Sequence, residues 1–417
     1  MTFTDEQVML TLAALSYRGF HDVFGGRLHE GIVTASLLDG LTSLAPVRDE
    51  WDLVWGPATG RGRGQLVDSS AMYVVRDRRA PSRYVVAIRG TNPISLSDWL
   101  LGDLWVGETV DWPYAPASEP AAISKSTALG LAALQAMRSR APDPTSATDF
   151  AAMVARTVSA LGRPALSASG DLVAAAPAWL EAQIGRIAER LQKAAAGAIS
   201  FTQRRSSAAT PIAPADLRPT LQNEPGPDGS RDLLTFLRAE AVRAAGAPME
   251  VVVTGHSKGA ALAQAVAVWL KDAVAAADLR ERWAPAGSVR VACYAFAGPT
   301  PGNTGFARRI ERLLGEDHHH LRNTSDLVTH AWQPDELREI PALYGRRSAI
   351  FEQLIASIAT DIERLGYRHA QTGATRFSGA LDARRDLAHE AVFQHLDAYL
   401  AQAGLHDLGL RAITFFV

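Results

Sequence analysis

The amino-acid sequence predicts an α/β fold with a mostly parallel central sheet. Three short runs that are rich in β-branched and aromatic residues have the composition of buried strands. These runs are Arg83–Arg89, Met249–Val253 and Ser288–Phe296. Stretches of helical composition lie between and after them, and this alternation of strands and helices is typical of α/β proteins.

Local signals place the other elements. Thr4 precedes an amphipathic stretch and is a suitable N-cap, because its hydroxyl can accept a hydrogen bond from the first turn of a helix. A strand is predicted over residues 65–76, and a charged turn separates it from the strand at Arg83. Helices are predicted over residues 4–17, 126–140, 233–245 and 306–314.

The stretch from Met249 to Leu270 carries the clearest functional signal. A valine-rich strand ends in Gly255-His256-Ser257-Lys258-Gly259, and an alanine-rich helix follows at once. This is the Gly-x-Ser-x-Gly nucleophile elbow of α/β-hydrolases, in which the serine stands on a strained turn. Gly255 and Gly259 remove side chains that would clash in such a turn. We therefore predict an α/β-hydrolase with Ser257 as its nucleophile; the alternative is an ordinary Gly-Ser turn.

An α/β-hydrolase also needs two backbone N–H groups that bind an oxyanion. One comes from the residue after the nucleophile, which is Lys258. The other comes from the loop after an earlier strand, and Thr91 directly follows the strand that ends in Arg89-Gly90. We predict that Thr91 and Lys258 form the oxyanion hole, although Thr91 would also suit a plain strand-to-turn position.

The acid and the base of the catalytic triad must follow the serine in the order Asp, then His. Asp326 has this order and lies just after a strand-like segment, where it could hold a histidine in the required tautomer. The alternative for Asp326 is a residue of an Asx-turn. His330 is too close to Asp326 in sequence to reach it from a separate loop. The other histidines that follow are His369, His389, His395 and His406.

Several segments resemble the class 3 lipase family, which includes fungal triacylglycerol lipases and their plant and bacterial relatives. They are Val86–Thr91, Asp98-Trp99 with Asp103, Thr254–Ala260 and Phe296–Asn303. The resemblance covers roughly residues 65–138 and 231–400. Family members usually carry leucine after the nucleophile and a second glycine two positions later, where this chain has Lys258 and Ala260.

The resemblance assigns further residues. Asn323–Val328 is similar to the family's N-x-x-D-x-V acid motif, which implies Asp326 as the catalytic acid. His395 begins a segment similar to the family's H-x-L-x-x-Y motif, which carries the catalytic base. His369 falls in a segment similar to Y-x-H-x-x-G, which is structural in that family. We therefore favour His395 as the base over His389 and His369, and we interpret His256 as a structural side chain.

Residues 141–230 separate two parts of the predicted hydrolase core, 1–140 and 231–417. This stretch is rich in Ala, Pro and Ser, and it is much longer than the connection in the family it resembles. Its length predicts an inserted helical cap or lid. A helix predicted over residues 174–197 carries Trp179 on an apolar stripe that could cover an acyl site, contact a lipid surface or pack on its own core. Trp99 and Trp179 are the candidate residues of the substrate pocket.

Composition excludes several other classes of protein. The formal charge of −2 gives no basic surface for nucleic acid. A single cysteine, Cys293, excludes an intramolecular disulfide framework. No apolar run is long enough to span a membrane, and the first residues do not form a Sec leader, so a cytoplasmic protein is the default, with leaderless secretion left open. Three consecutive histidines, 318–320, would alternate between faces of a strand and cannot bind one metal ion together. We expect neither a metal nor an organic cofactor.

These observations predict a serine ester hydrolase. The resemblance implies a lipase or carboxylesterase that cleaves acyl esters of glycerol or similar lipids through Ser257, Asp326 and His395. The alternatives within this class are a phospholipase A1-type enzyme and a short-chain esterase. Outside it, a lipid-binding pseudoenzyme and an interaction protein that acts through residues 141–230 remain open.

Overall fold

The protein is described here by a computed structural model. It describes residues 2–18, 30–59, 70–90, 106–140, 211–219, 221, 225–226, 228–285, 287–345, 349–385 and 387–406. Thr91, Trp99, Trp179 and most of the predicted insertion at residues 141–230 therefore lie outside the described residues.

The described part of the chain contains eleven strands. In chain order, β1 to β11, they are Trp51–Thr59, Ala71–Asp77, Arg83–Ile88, Thr109–Asp111, Ala122–Ser124, Arg138–Ser139, Arg231–Asp232, Met249–His256, Val289–Phe296, His318–Asn323 and Ala374–Phe377. Seven of them form one sheet with the order β1-β2-β3-β8-β9-β10-β11, and the pairs β4-β5 and β6-β7 form two small ladders.

The large sheet is mostly parallel, as predicted. Strands β3, β8, β9, β10 and β11 run parallel, and β2 and β1 pair antiparallel at one edge. The register places Ile88 opposite Gly255 and His256 opposite Phe296, so β3, β8 and β9 end together. The carboxyl ends of parallel strands are where α/β proteins bind ligands, and they form one edge of this sheet.

Ten α-helices accompany the strands in the described residues. In chain order, α1 to α10, they are Asp5–Leu15, Glu30–Ser43, Lys125–Ala136, Leu233–Arg243, Lys258–Ala275, Thr304–Leu314, Pro334–Leu337, Ala349–Glu363, Leu387–His395 and Asp397–Gln402. The predicted N-cap is confirmed, because the hydroxyl of Thr4 accepts a bond from the N–H of Gln7. The side chain of Gln7 accepts a bond from the N–H of Thr4 in return, which completes a capping box.

The central strands are buried on both faces, and this explains why their sequences are continuously apolar. In β8, Val251 and Val253 face the core beneath α3, α4, α5 and α6, whereas Val252 faces the core beneath α1, α2 and α10. A third apolar cluster, which includes Val328, Trp332 and Tyr367, packs around α8 next to the loop after β10.

Several described elements were not predicted, among them helix α2 and strand β1. The strand β1 was not predicted, because it contains Gly56 and Pro57, two residues that usually indicate a turn. The helix predicted over residues 126–140 ends at Ala136, so its last turn was wrong. Arg138–Ser139 instead forms β6, which pairs antiparallel with β7 and joins the two ends of the predicted insertion.

The end of the predicted insertion packs on the sheet's own core. Leu217 and Leu221 are buried in the cluster that contains α3, α4 and α5. The side-chain amide of Gln135 donates to the carbonyl of Leu217 at 3.2 Å. These residues tie the chain that returns from residues 141–210 to α3.

We predict that Asp272→Ala will lower the free energy of unfolding by about 3–5 kcal/mol. The buried carboxylate of Asp272 accepts bonds from the indole N–H of Trp112 at 2.7 Å and from Nε of Arg309 at 2.9 Å. Its loss leaves the guanidinium of Arg309 without its anion, and Arg309 is only 7% exposed. Urea unfolding would measure the change, with the exposed carboxylate variant Asp335→Ala as control. Equal losses in the two variants would contradict the prediction.

Candidate active site

Ser257 stands at a sharp turn between β8 and α5. Its backbone has φ 61° and ψ −132°, a conformation that non-glycine residues rarely adopt. The N–H of Ser257 donates to the carbonyl of Phe296 on the neighbouring strand at 2.9 Å, and α5 begins at the next residue, Lys258. A strained serine between a strand and a helix is the geometry of a nucleophile elbow.

Three glycines allow the backbone segments around Ser257 to approach each other. A Cβ on Gly255 would lie 2.2 Å from the carbonyl oxygen of Gly259. One on Gly259 would lie 2.5 Å from the carbonyl oxygen of Ile88, and one on Gly90 would lie 2.6 Å from that of His256. Side chains do not fit at these distances, so the ends of β3 and β8 meet only because all three positions are glycine.

Asp326 and His395 form a buried pair. Oδ2 of Asp326 lies 2.9 Å from Nδ1 of His395, and the two residues are 0% and 1% exposed. Asp326 lies on the loop after β10, and His395 is the last residue of α9. Because the carboxylate can only accept, Nδ1 is the donor of this bond, and Nε2 is the ring nitrogen that remains to take up a proton.

Tyr399 fixes the position of the Asp326 carboxylate. Its hydroxyl donates to Oδ2 of Asp326 at 3.1 Å and accepts a bond from the N–H of Asn323 at 2.9 Å. The N–H of Val328 donates to the other carboxylate oxygen at 2.9 Å. Burial, together with the negative charge of Asp326, raises the pKa of Tyr399 well above its usual value, so the hydroxyl keeps its proton.

His256 connects the elbow to His395. Its Nε2 lies 2.9 Å from the backbone carbonyl of His395, which can only accept, so Nε2 is the protonated nitrogen. The two rings lie 4.8 Å apart between centroids. The hydroxyl of Tyr17 donates to the carbonyl of His256 at 3.1 Å and lies 3.4 Å from Nδ1. Burial and the neighbouring His395 lower the pKa of His256 to about 3, so the ring is neutral.

The loop that carries Asp326 is held from the other side by buried polar groups. Arg322 donates to the carbonyl of Thr329 at 2.8 Å and forms an ion pair with Glu336. His369 bonds the same carbonyl through Nε2 at 2.9 Å. His330 bonds the carbonyl of Asp326 itself through Nδ1 at 2.9 Å.

The structure thus separates the histidines that the sequence left as alternatives for the base. His395 contacts Asp326, and His369 is bonded to a backbone carbonyl beneath the loop. His389 lies earlier in α9. The contact of His256 with His395 was not predicted. The sequence predicted a structural role for His256 but could not identify its partner, because His256 and His395 are 139 positions apart.

The remaining predicted residues are placed in part. Lys258 directly follows Ser257 and is the first residue of α5, and Gly90 packs against the elbow directly before Thr91. In the part of the chain that the structure describes, no group of three or more His, Cys, Asp or Glu side chains could hold a metal ion. No helix among the described residues is long and apolar enough to cross a membrane.

Two comparisons relate this chain to known proteins. Residues 235–335, which contain the elbow and Asp326, match the model of the family "Lipase (class 3)". The predicted resemblance to class 3 lipases is confirmed. A solved structure described as the crystal structure of M37 lipase is similar over 100% of this chain and 98% of its own, with a TM-score of 0.69 and 22% sequence identity. This likeness confirms the predicted α/β-hydrolase fold. No curated protein matches the sequence.

We predict that Tyr399→Phe will lower kcat for ester hydrolysis by about tenfold. The substitution removes one hydrogen bond from Asp326 and leaves the N–H of Asn323 without its acceptor, so the carboxylate is held less firmly. Tyr73→Phe is the matched control, because Tyr73 loses a buried bond to the carbonyl of Leu12, away from the Asp326–His395 pair. Equal kcat losses in the two variants would contradict the role of Tyr399.

Buried histidines should make the fold sensitive to acid. Burial lowers the pKa of His256 to about 3 and that of His318 to about 4, and it lowers the pKa values of His320 and His369 well below the usual value. Below pH 6.5 the unfolded chain therefore binds more protons than the folded one. The free energy of unfolding should therefore decrease as the pH is lowered from about 6.5 to about 3–4. The decrease should be about 1.4 kcal/mol per pH unit for each such histidine.

Denaturant unfolding at several pH values tests this prediction. His318→Gln should reduce the slope by about one histidine's share, because glutamine does not titrate. His406 lies on the surface, so His406→Gln should leave the slope unchanged. A slope that His318→Gln does not alter would rule out His318 as a source of the acid sensitivity.

Proposed function

We propose that the protein is a serine ester hydrolase of the lipase type, with Ser257, His395 and Asp326 as its catalytic triad. The family match over residues 235–335 supports hydrolysis of esters. The observation that carries the assignment is the buried Asp326–His395 pair, whose histidine is bonded to the residue next to the strained serine.

The reaction begins when Oγ of Ser257 attacks the carbonyl carbon of an ester. Nε2 of His395 takes the serine proton, and the imidazolium that forms is stabilised by the Asp326 carboxylate at Nδ1. The new C–O bond moves an electron pair onto the carbonyl oxygen. The N–H of Lys258, and in our proposal that of Thr91, bind this oxyanion.

The tetrahedral intermediate collapses to an acyl-enzyme. The bond to the leaving alcohol breaks, and His395 returns its proton to the alcohol oxygen. A water molecule then attacks the acyl carbon while His395 accepts one of its protons. The carboxylic acid is released, and Ser257 regains its proton. No step needs an oxidant, a reductant or a co-reactant other than water.

We predict that Ser257→Ala will lower the hydrolysis of p-nitrophenyl esters by at least about 10³-fold, since the remaining groups cannot form an acyl-enzyme. Wild type should react covalently with a fluorophosphonate probe, and Ser257→Ala should not. The matched control is Ser288→Ala, which removes a hydroxyl from an exposed turn.

A series of p-nitrophenyl esters, with acyl chains from acetate to palmitate, distinguishes a lipase from a short-chain esterase. Preference for long chains supports a lipase, and preference for short chains supports an esterase. Full activity in Ser257→Ala would overturn the proposed nucleophile. Absence of both activity and labelling in the wild type would favour a lipid-binding protein that has lost catalysis.

A further inference from the structure

The side chain of Lys258 lies in an unusual place for a cation. Lys258 follows the proposed nucleophile directly, yet it is only 6% exposed. It lines a cavity of about 20 Å³ between α5, the N-terminal end of α3 and the loops after β9 and β10. The other lining residues are Val106, Ser124, Ser126, Thr127, Ala261, Leu262, Pro299, Thr300 and Trp332. A cavity of this volume holds one or two oxygen-sized groups.

Half of the described residues that line this cavity are polar, and one of these, Lys258, is a cation. Four of its residues carry a hydroxyl, and none of the residues named above is an acid. Ser124 and Thr127 share one O–H···O bond at 2.8 Å, in which either can donate, so the hydroxyl proton of the other is available to a further acceptor. The charge of Lys258 is therefore accompanied by a hydrogen-bond donor of the same lining.

A buried ammonium needs acceptors, because taking the charge out of water costs several kcal/mol. Lys258 already has an interaction within the protein. An ammonium has three N–H donors, so it can bind a further anionic oxygen in addition. An anionic group on a substrate would gain both the charge and the hydroxyl donor of the cavity. A neutral alkyl group would gain neither.

We propose that Lys258 makes this site select esters that carry a carboxylate or phosphate group close to the scissile bond. The inference rests on the proposed ester hydrolysis at Ser257 and adds a substrate class to it. The backbone N–H of Lys258 would bind the oxyanion, and its side chain would bind the substrate's anion. The anion is either part of the acyl chain or part of the leaving alcohol.

Two pairs of soluble esters distinguish these sources. For the acyl side, the pair is the p-nitrophenyl ester of hexanoate and the mono-p-nitrophenyl ester of adipate, which differ in a terminal carboxylate. For the alcohol side, the pair is 1-butanoylglycerol and 1-butanoylglycerol-3-phosphate. The measured quantity is the ratio of kcat/KM for the anionic ester to that for its neutral partner, so a loss common to both esters cancels.

Lys258→Met should lower this ratio about 10- to 100-fold for one of the two pairs, because it removes a charged hydrogen bond and keeps a similar length of side chain. The pair that responds identifies the source of the anion. Lys258→Arg keeps the charge and should keep most of the ratio. Ratios that agree within twofold between wild type and Lys258→Met, for both pairs, would overturn the inference.

A second measurement needs no variant. If Lys258→Met fails to fold, n-hexyl phosphate and n-hexanoate are compared with n-hexanol as competitive inhibitors of neutral-ester hydrolysis by the wild type. At least one anion should bind about tenfold or more tightly than the alcohol, and the advantage should shrink at high salt. Equal inhibition constants would overturn the inference.

The proposed ester hydrolysis and the proposed selectivity for anionic esters are tested by different measurements. Hydrolysis of neutral esters by the wild type and its loss in Ser257→Ala judge the proposed function without any anionic substrate. A protein that passes this test, but shows no preference that depends on Lys258, remains an ester hydrolase with a different substrate class.

Discussion

The close approach of backbone at Ser257 is the constraint on which the rest of the site depends. The serine adopts a positive φ, and the carbonyl oxygens of Gly259 and Ile88 occupy the space where side chains on Gly255 and Gly259 would stand. Such a conformation costs of order 1–3 kcal/mol and persists only when the surrounding structure determines it. Here β3 and β9 flank β8 in parallel register, and α5 starts directly after the serine. The sheet therefore holds the strain in place.

The second part of the site is brought to the sheet by the C-terminal helices. Tyr399 is wholly buried in the core beneath α1 and α2, and its hydroxyl bonds both Asp326 and the backbone of Asn323. His256 bonds the carbonyl of His395 at the end of α9. Tyr399 thus fixes Asp326, the partner of His395, and His256 fixes the backbone at the end of α9 that carries His395. A neutral His256 suits this role, because a second cation beside His395 would oppose the imidazolium that the proposed reaction forms.

Much of this arrangement could be predicted from sequence because its causes are local. The valines of β8 are apolar on both faces, Thr4 is a suitable N-cap, and the glycines of the elbow surround one serine within five residues. The α/β-hydrolase fold and the identity of the residues at the elbow follow from such patterns.

The rest depends on contacts between distant residues. The strand β1 tolerates Gly56 and Pro57 because it lies at the edge of the sheet. On the outer side of an edge strand there is no neighbouring strand, so the missing N–H of a proline breaks no interstrand hydrogen bond there. Helix α3 ends early because Arg138–Ser139 pairs with Arg231–Asp232, almost a hundred residues later. The bond from His256 to His395 spans 139 positions. None of these contacts leaves a periodic or compositional signal.

Lys258 illustrates how chemistry and selectivity can be separated at one residue. An oxyanion donor is a backbone N–H, so any residue except proline can supply it, and the side chain at that position is free to vary. Leucine at this position would extend the apolar part of the cavity wall that Val106, Leu262 and Trp332 provide. Lysine instead places a charge within one residue of the proposed nucleophile while leaving the backbone donor intact. Selection for an anionic ester could thus arise from one substitution that removes no catalytic atom.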